Sequence, residues 1–166
     1  MGEPLNQAPP KSRAREWLGA SLLGVYVVIV LCATMWPTPL DAGFGTSIQR
    51  FLDVMHRNGI PQWFGYNKLE FSANILMFVP LGFLVAMLLP KRWWWLAFFI
   101  CPGLSIAIEA TQYYFLAARF ATIVDVISNS LGAVIGIIVA MTLRSFVSDR
   151  DEKVIARALW QHGIRP

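Results

Sequence analysis

The sequence predicts an all-α polytopic membrane protein: a four-transmembrane-helix bundle with a short extracytoplasmic amphipathic helix between its first and second spans. Three observations carry this. Of 166 residues, 56% are hydrophobic and only 14% charged, where soluble domains average about 25% charged. Four apolar runs approach or exceed the roughly 20 residues needed to cross a hydrocarbon core about 30 Å thick. Lysine and arginine fall mostly in alternate connections, as the positive-inside bias requires.

Residues 1–16 are polar, basic and proline-containing, and predict a disordered cytoplasmic tail. The first span covers 17–36 and carries a tryptophan at each end, Trp17 and Trp36. It exceeds the apolar core of a cleaved leader, and no A-x-A site follows it. Within the mixed segment 37–70, Ile48, Phe51, Leu52 and Met55 recur at helical spacing. Thr46 and Gln49 suit a capping box at the start of this short helix, and Asn58-Gly59 with Pro61 suits its end. Such a helix lies at the membrane interface, with Trp63 and Phe64 as anchors, or packs on the ends of the bundle. The second span, 71–89, contains Pro80; the third, 93–115, contains Pro102-Gly103; the fourth covers 120–143. Residues 17–143 thus form the membrane domain, and 144–166 a charged cytoplasmic tail with Val154, Ile155, Ala158 and Leu159 along one side of a surface helix.

With the N-terminus inside, ten lysines and arginines fall in cytoplasmic pieces. Four, namely Arg50, Arg57, Lys68 and Arg119, fall outside. That distribution predicts both termini cytoplasmic. It also accounts for the basic residues without nucleic acid. Cys32 and Cys101 both lie in apolar spans, and His56 and His162 fall on opposite sides. Neither pair has metal-ligand spacing, and no cofactor is implied.

The residues that membrane spans do not ordinarily tolerate are Glu109 and Asp125. An ionisable side chain at the centre of a span costs about 2.5–3.5 kcal/mol by insertion scales. Glu109 pairs with Gln112 and Asp125 with Asn129, three and four residues apart and so on one helix face each. At 1.5 Å per residue, Glu109 lies about 24 Å along the third span, while Asp125 and Asn129 lie about 8 Å and 14 Å into the fourth. Asn74 sits near the outer end of the second. These five side chains are expected at one level beneath the extracytoplasmic surface, with Arg119 in the hairpin loop as counter-ion. Along the fourth span, Gly132 and Gly136 continue the stripe of Asp125 and Asn129 as a GxxxG that admits a close neighbour.

The string FSANILMFVPLGFLVAML, followed by SIAIEATQYYFLAARFATIVDVISNSLGAVIG, resembles the VanZ-like membrane proteins. The pattern is N-x5-P-x-G (Asn74, Pro80, Gly82), then E-x2-Q (Glu109, Gln112) with Arg119, then D-x3-N-x2-G-x3-G (Asp125, Asn129, Gly132, Gly136). It runs in order through residues 71–140. The resemblance implies a protein of the bacterial cytoplasmic membrane. The family takes its name from a member associated with resistance to teicoplanin, a glycopeptide antibiotic acting on cell-wall precursors.

Three functions fit these features. A non-enzymatic envelope protein would bind a lipid, lipid-linked or lipoglycopeptide ligand through Asn74, Glu109, Gln112, Arg119, Asp125 and Asn129. A small intramembrane enzyme would use Glu109 and Asp125 as catalytic acid and base on a lipid substrate, with Arg119 stabilising negative charge. No nucleophile with a histidine partner supports that second reading. A homo-oligomeric transporter subunit would use the GxxxG face as its interface. The confinement of the polar residues to one end favours binding over a proton or ion pathway, which needs polar groups at several depths. The carboxylates could also serve only to clamp helices together.

Overall fold

The computed structural model describes residues 13–36, 43–116 and 122–161. These form helices α1 (Arg13–Met35), α2 (Gly45–Arg57), α3 (Tyr66–Leu88), α4 (Ala97–Phe115) and α5 (Ile123–Gln161), with a 3-10 turn at Trp94–Leu96 leading into α4. No strand occurs among the described residues. The segments Glu16–Met35, Tyr66–Leu88, Trp94–Phe115 and Ile123–Arg150 are each long and apolar enough to cross a membrane. The protein is an all-α, polytopic membrane bundle.

Several boundaries differ from the sequence expectation. Helix α1 begins at Arg13, inside the expected tail, of which residues 1–12 lie outside the described residues. Helix α3 begins at Tyr66, a turn before the apolar run, because Gly65 precedes a stretch (Tyr66–Glu70) with no helix breaker. The capping box at Thr46 does not form: Phe44 is the N-cap of α2, without a side-chain bond, and Thr46 is already helical. The far end follows the expected chemistry. Gly59, at φ +96°, donates to the His56 carbonyl, and Ile60 donates to that of Met55, a Schellman closure. Helix α5 runs through the expected boundary at 143 as one piece of 39 residues. No glycine or proline interrupts it between Gly136 and Gly163. Its length, about 58 Å, is nearly twice the hydrocarbon thickness of about 30 Å.

Alternating direction makes α3 and α5 parallel, and this is the most extensively packed pair. Its closeness comes from glycine. A Cβ at Gly132 would strike the Ile75 carbonyl oxygen, one at Gly82 the Ala133 carbonyl oxygen, and one at Gly136 the Val79 carbonyl oxygen and the Phe83 nitrogen. Backbone therefore lies directly on backbone. Below and around this seam Phe78, Leu81, Ala86, Ala133, Ile137 and Ala140 form the buried core. Because α3 occupies the GxxxG face within the chain, Gly132 and Gly136 are buried and do not present a subunit interface, which removes the observation behind the transporter-subunit reading.

Helix α4 packs on α5, and α1 rests chiefly on α3. The Tyr26 hydroxyl donates to the Met77 carbonyl at 2.8 Å, pinning α1 to α3. At one end of the bundle, Arg144 Nη2 donates to the Met87 and Leu89 carbonyls at 2.8 and 3.0 Å. A cation there satisfies orphan carbonyls and opposes the negative end of the α3 dipole. Lys91 Nζ reaches Ser148 Oγ at 2.9 Å beside it. The opposite end, where α1 and α4 finish and α3 and α5 begin, holds the polar side chains.

Candidate functional site

The site is built around the first turn of α5. Thr122 precedes this helix and acts as its cap: its hydroxyl accepts the Asp125 N–H at 3.1 Å and donates to Asp125 Oδ2 at 2.6 Å. In an ordinary capping box the carboxylate three residues on would take the cap residue's own N–H. Here a different acid does so: Thr122 N–H donates across to Glu109 Oε2 on α4 at 3.2 Å. Asp125 is thereby released to face α3, where Asn74 Nδ2 donates to its Oδ1 at 2.8 Å. One threonine thus engages both carboxylates. Both sit at the positive end of the α5 dipole, the end at which a helix accommodates acidic groups.

Burial separates the two acids. Glu109 is 9% exposed, whereas Asp125 is only half-buried. The Asp125 carboxylate is held by an amide and a hydroxyl alone among the described residues. It is reachable, and its partners are neutral groups.

The remaining predicted residues radiate from this centre. Gln112 is buried and donates to the Thr34 carbonyl of α1 at 2.8 Å, so it ties the outermost helix to the cluster. Asn129 turns inward. Its Nδ2 donates to Ser105 Oγ at 3.0 Å, and both side chains are buried. Its Oδ1 is buried without a hydrogen-bond partner among the described residues. The expectation of five side chains at one level is therefore corrected: Asn74, Glu109 and Asp125 converge on the start of α5, Gln112 faces α1, and Ser105–Asn129 forms a second, deeper layer. Arg119, the expected counter-ion, lies outside the described residues. Gly132 and Gly136 continue the stripe below, pressed on α3.

Three participants escaped the sequence reading: Thr34, Ser105 and Thr122. Two had a signal. Ser105, Glu109 and Gln112 fall at i, i+4, i+7, one stripe of α4. Thr122-x-x-Asp125 is a cap spacing with the acid at the third helical position. Thr34 enters through its main-chain carbonyl, which no side-chain pattern announces.

Taken together, the fold and this site define a polytopic α-helical membrane protein with two carboxylates gathered at one end of a glycine-seamed bundle. The VanZ/LLP1 family model matches residues 23–144, from within α1 to the Arg144 cap, and the chain belongs to that family. No curated protein and no solved structure matches it.

Proposed function

We propose that this VanZ-family protein sits in the bacterial cytoplasmic membrane with both termini inside, and that its polar end binds a lipid, lipid-linked or lipoglycopeptide ligand in the outer leaflet. The observation that carries the reading is Asp125: a half-buried carboxylate, fixed by Asn74 and Thr122, without a cation beside it among the described residues. Such a group is a ready partner for the ammonium of a headgroup or of an amino-sugar-bearing lipopeptide. Clamping helices together does not demand a carboxylate, since polar contacts between membrane helices average only about 0.6 kcal/mol and amides or hydroxyls supply them equally well.

A contribution to teicoplanin resistance follows if the ligand is the drug or the precursor it targets. The test expresses wild type, Asp125→Asn and Glu109→Gln in a host deleted for this gene, quantifies each protein in the membrane, and challenges the cells with teicoplanin. Wild-type protection that disappears in Asp125→Asn at unchanged abundance supports binding at the carboxylate. Loss of abundance in step with the phenotype assigns the acids to holding the bundle and ends the proposal.

A further inference from the structure

The surface that the polar cluster leaves unexplained is helix α2. Projected at about 100° per residue, its side chains divide into two halves. Phe44, Ile48, Phe51, Leu52, Val54 and Met55 occupy one, with the small Ser47 between Val54 and Phe51; Thr46, Gln49, Arg50, Asp53, His56 and Arg57 occupy the other. The apolar half is itself divided. Leu52 is buried and Ile48 and Met55 are half-buried, whereas Phe44, Phe51 and Val54 are each more than half exposed. Helix α2 has no extensive packing against any helix of the bundle. Arg50 and Arg57 fall beside the exposed apolar edge, and Asp53 lies farther round.

The connection from α2 to α3 has the same character. His56 Nε2 meets the Phe64 carbonyl at 3.0 Å, fastening the helix to this connection. Trp63 within it is 70% exposed, with Lys68 Nζ 5.7 Å from its ring centroid. Exposed tryptophan beside a lysine is the composition of a membrane–water interface.

We infer that α2 is a bilayer-surface anchor, lying in the headgroup plane at the polar end with Phe44, Phe51 and Val54 among the acyl chains and Arg50, Arg57 and Lys68 against anionic headgroups. The occupant is set by continuity. Helices α1 and α3 both span the membrane and leave only short connections on either side of α2, so the helix is held at the surface of the same bilayer that coats the bundle. Charge agrees within the helix: α2 carries Arg50 and Arg57 beside the apolar edge and a single acid, Asp53.

The test uses the full-length protein in vesicles, in a Cys32→Ser background with buried Cys101 retained. Spin labels are placed singly through Phe51→Cys, Val54→Cys, Gln49→Cys and Asp53→Cys, with Val28→Cys on the exposed face of α1 as the lipid reference. In vesicles of phosphatidylcholine with phosphatidylglycerol, labels at 51 and 54 should collide with oxygen as the reference does, and those at 49 and 53 with a water-soluble nickel complex. Replacing the phosphatidylglycerol by phosphatidylcholine should make 51 and 54 shallower, and Arg50→Gln with Arg57→Gln should abolish that lipid dependence. Nickel access at 51 and 54 would place the edge in solvent and overturn the proposal. Immobilised labels shielded from both relaxants would show it covered by protein, either the bundle or a second copy, and would overturn it equally. Correct depth without lipid dependence would refute the headgroup assignment.

Discussion

Gly136→Ala isolates the α3–α5 seam. The added methyl would meet the Val79 carbonyl oxygen, and the Phe83 nitrogen at 2.7 Å. Both neighbours are main chain, and no rotamer change moves them aside. Restoring ordinary contact requires the helices to part by about 1 Å, and core overpacking of this kind costs about 1–3 kcal/mol. Against this stands only the gain in helix propensity, up to about 1 kcal/mol for alanine over glycine. At mid-range the net loss is about 1 kcal/mol, roughly fivefold in the ratio of folded to unfolded protein. The assay is reversible unfolding in mixed detergent micelles, followed by tryptophan fluorescence. Gly103→Ala on α4 and Gly24→Ala on α1 serve as references, because a Cβ at either position meets nothing within 4 Å. Those two should be neutral or slightly stabilising. If Gly136→Ala is no less stable than Gly103→Ala, the seam does not govern bundle stability and the reasoning fails.

Thr122→Val removes the hydroxyl that bonds Asp125 on both sides and should lower stability by about 1 kcal/mol, as lost helix caps do; Thr122→Ser should restore most of it in the same unfolding assay. Ser105→Ala strands the Asn129 amide and should cost about 1–3 kcal/mol. Adding Asn129→Leu should recover much of that loss, because replacing both partners by apolar groups leaves nothing unpaired; a double mutant worse than the sum of its singles would refute the pairing. Arg144→Gln should loosen the end of α3 by about 1 kcal/mol, read as faster exchange of the Leu89 amide, which bonds the Val85 carbonyl, with exchange at the polar end unchanged.

The spans and polar faces were legible because membrane insertion enforces two strong regularities: apolar length, and helical spacing of the exceptional polar groups. Glu109, Asp125 and the two glycines stand out for that reason. The partners were less legible. Asp125 meets Asn74 and Glu109 meets the backbone of Thr122, pairings set by how α3 and α4 stand against the start of α5. Spacing within one helix carries no information on that. The start of α2 was misplaced because Phe44 caps it without any side-chain bond, and cap rules read side chains. The length of α5 was underestimated because the apolar run ends where the helix does not. Charge changes the solvent in which residues 144–161 lie, but Ala, Leu, Arg, Lys and Glu are all good helix formers.

The pairing of α3 with α5 bears on biogenesis. Every tie between them is made across a long sequence gap: Asn74 to Asp125, Gly82 to Ala133, and Met87 to Arg144. When α3 enters the bilayer, the helix that covers its glycine seam has not been synthesised. At about 5–20 residues per second, the wait is several seconds, with α4 emerging in between and held to α3 far less extensively than α5 is. The final span is thus the keystone of assembly. A ribosome that stalls within α5 leaves three helices in the membrane without their common partner, a species that quality-control proteases can distinguish from the finished bundle by its uncovered seam.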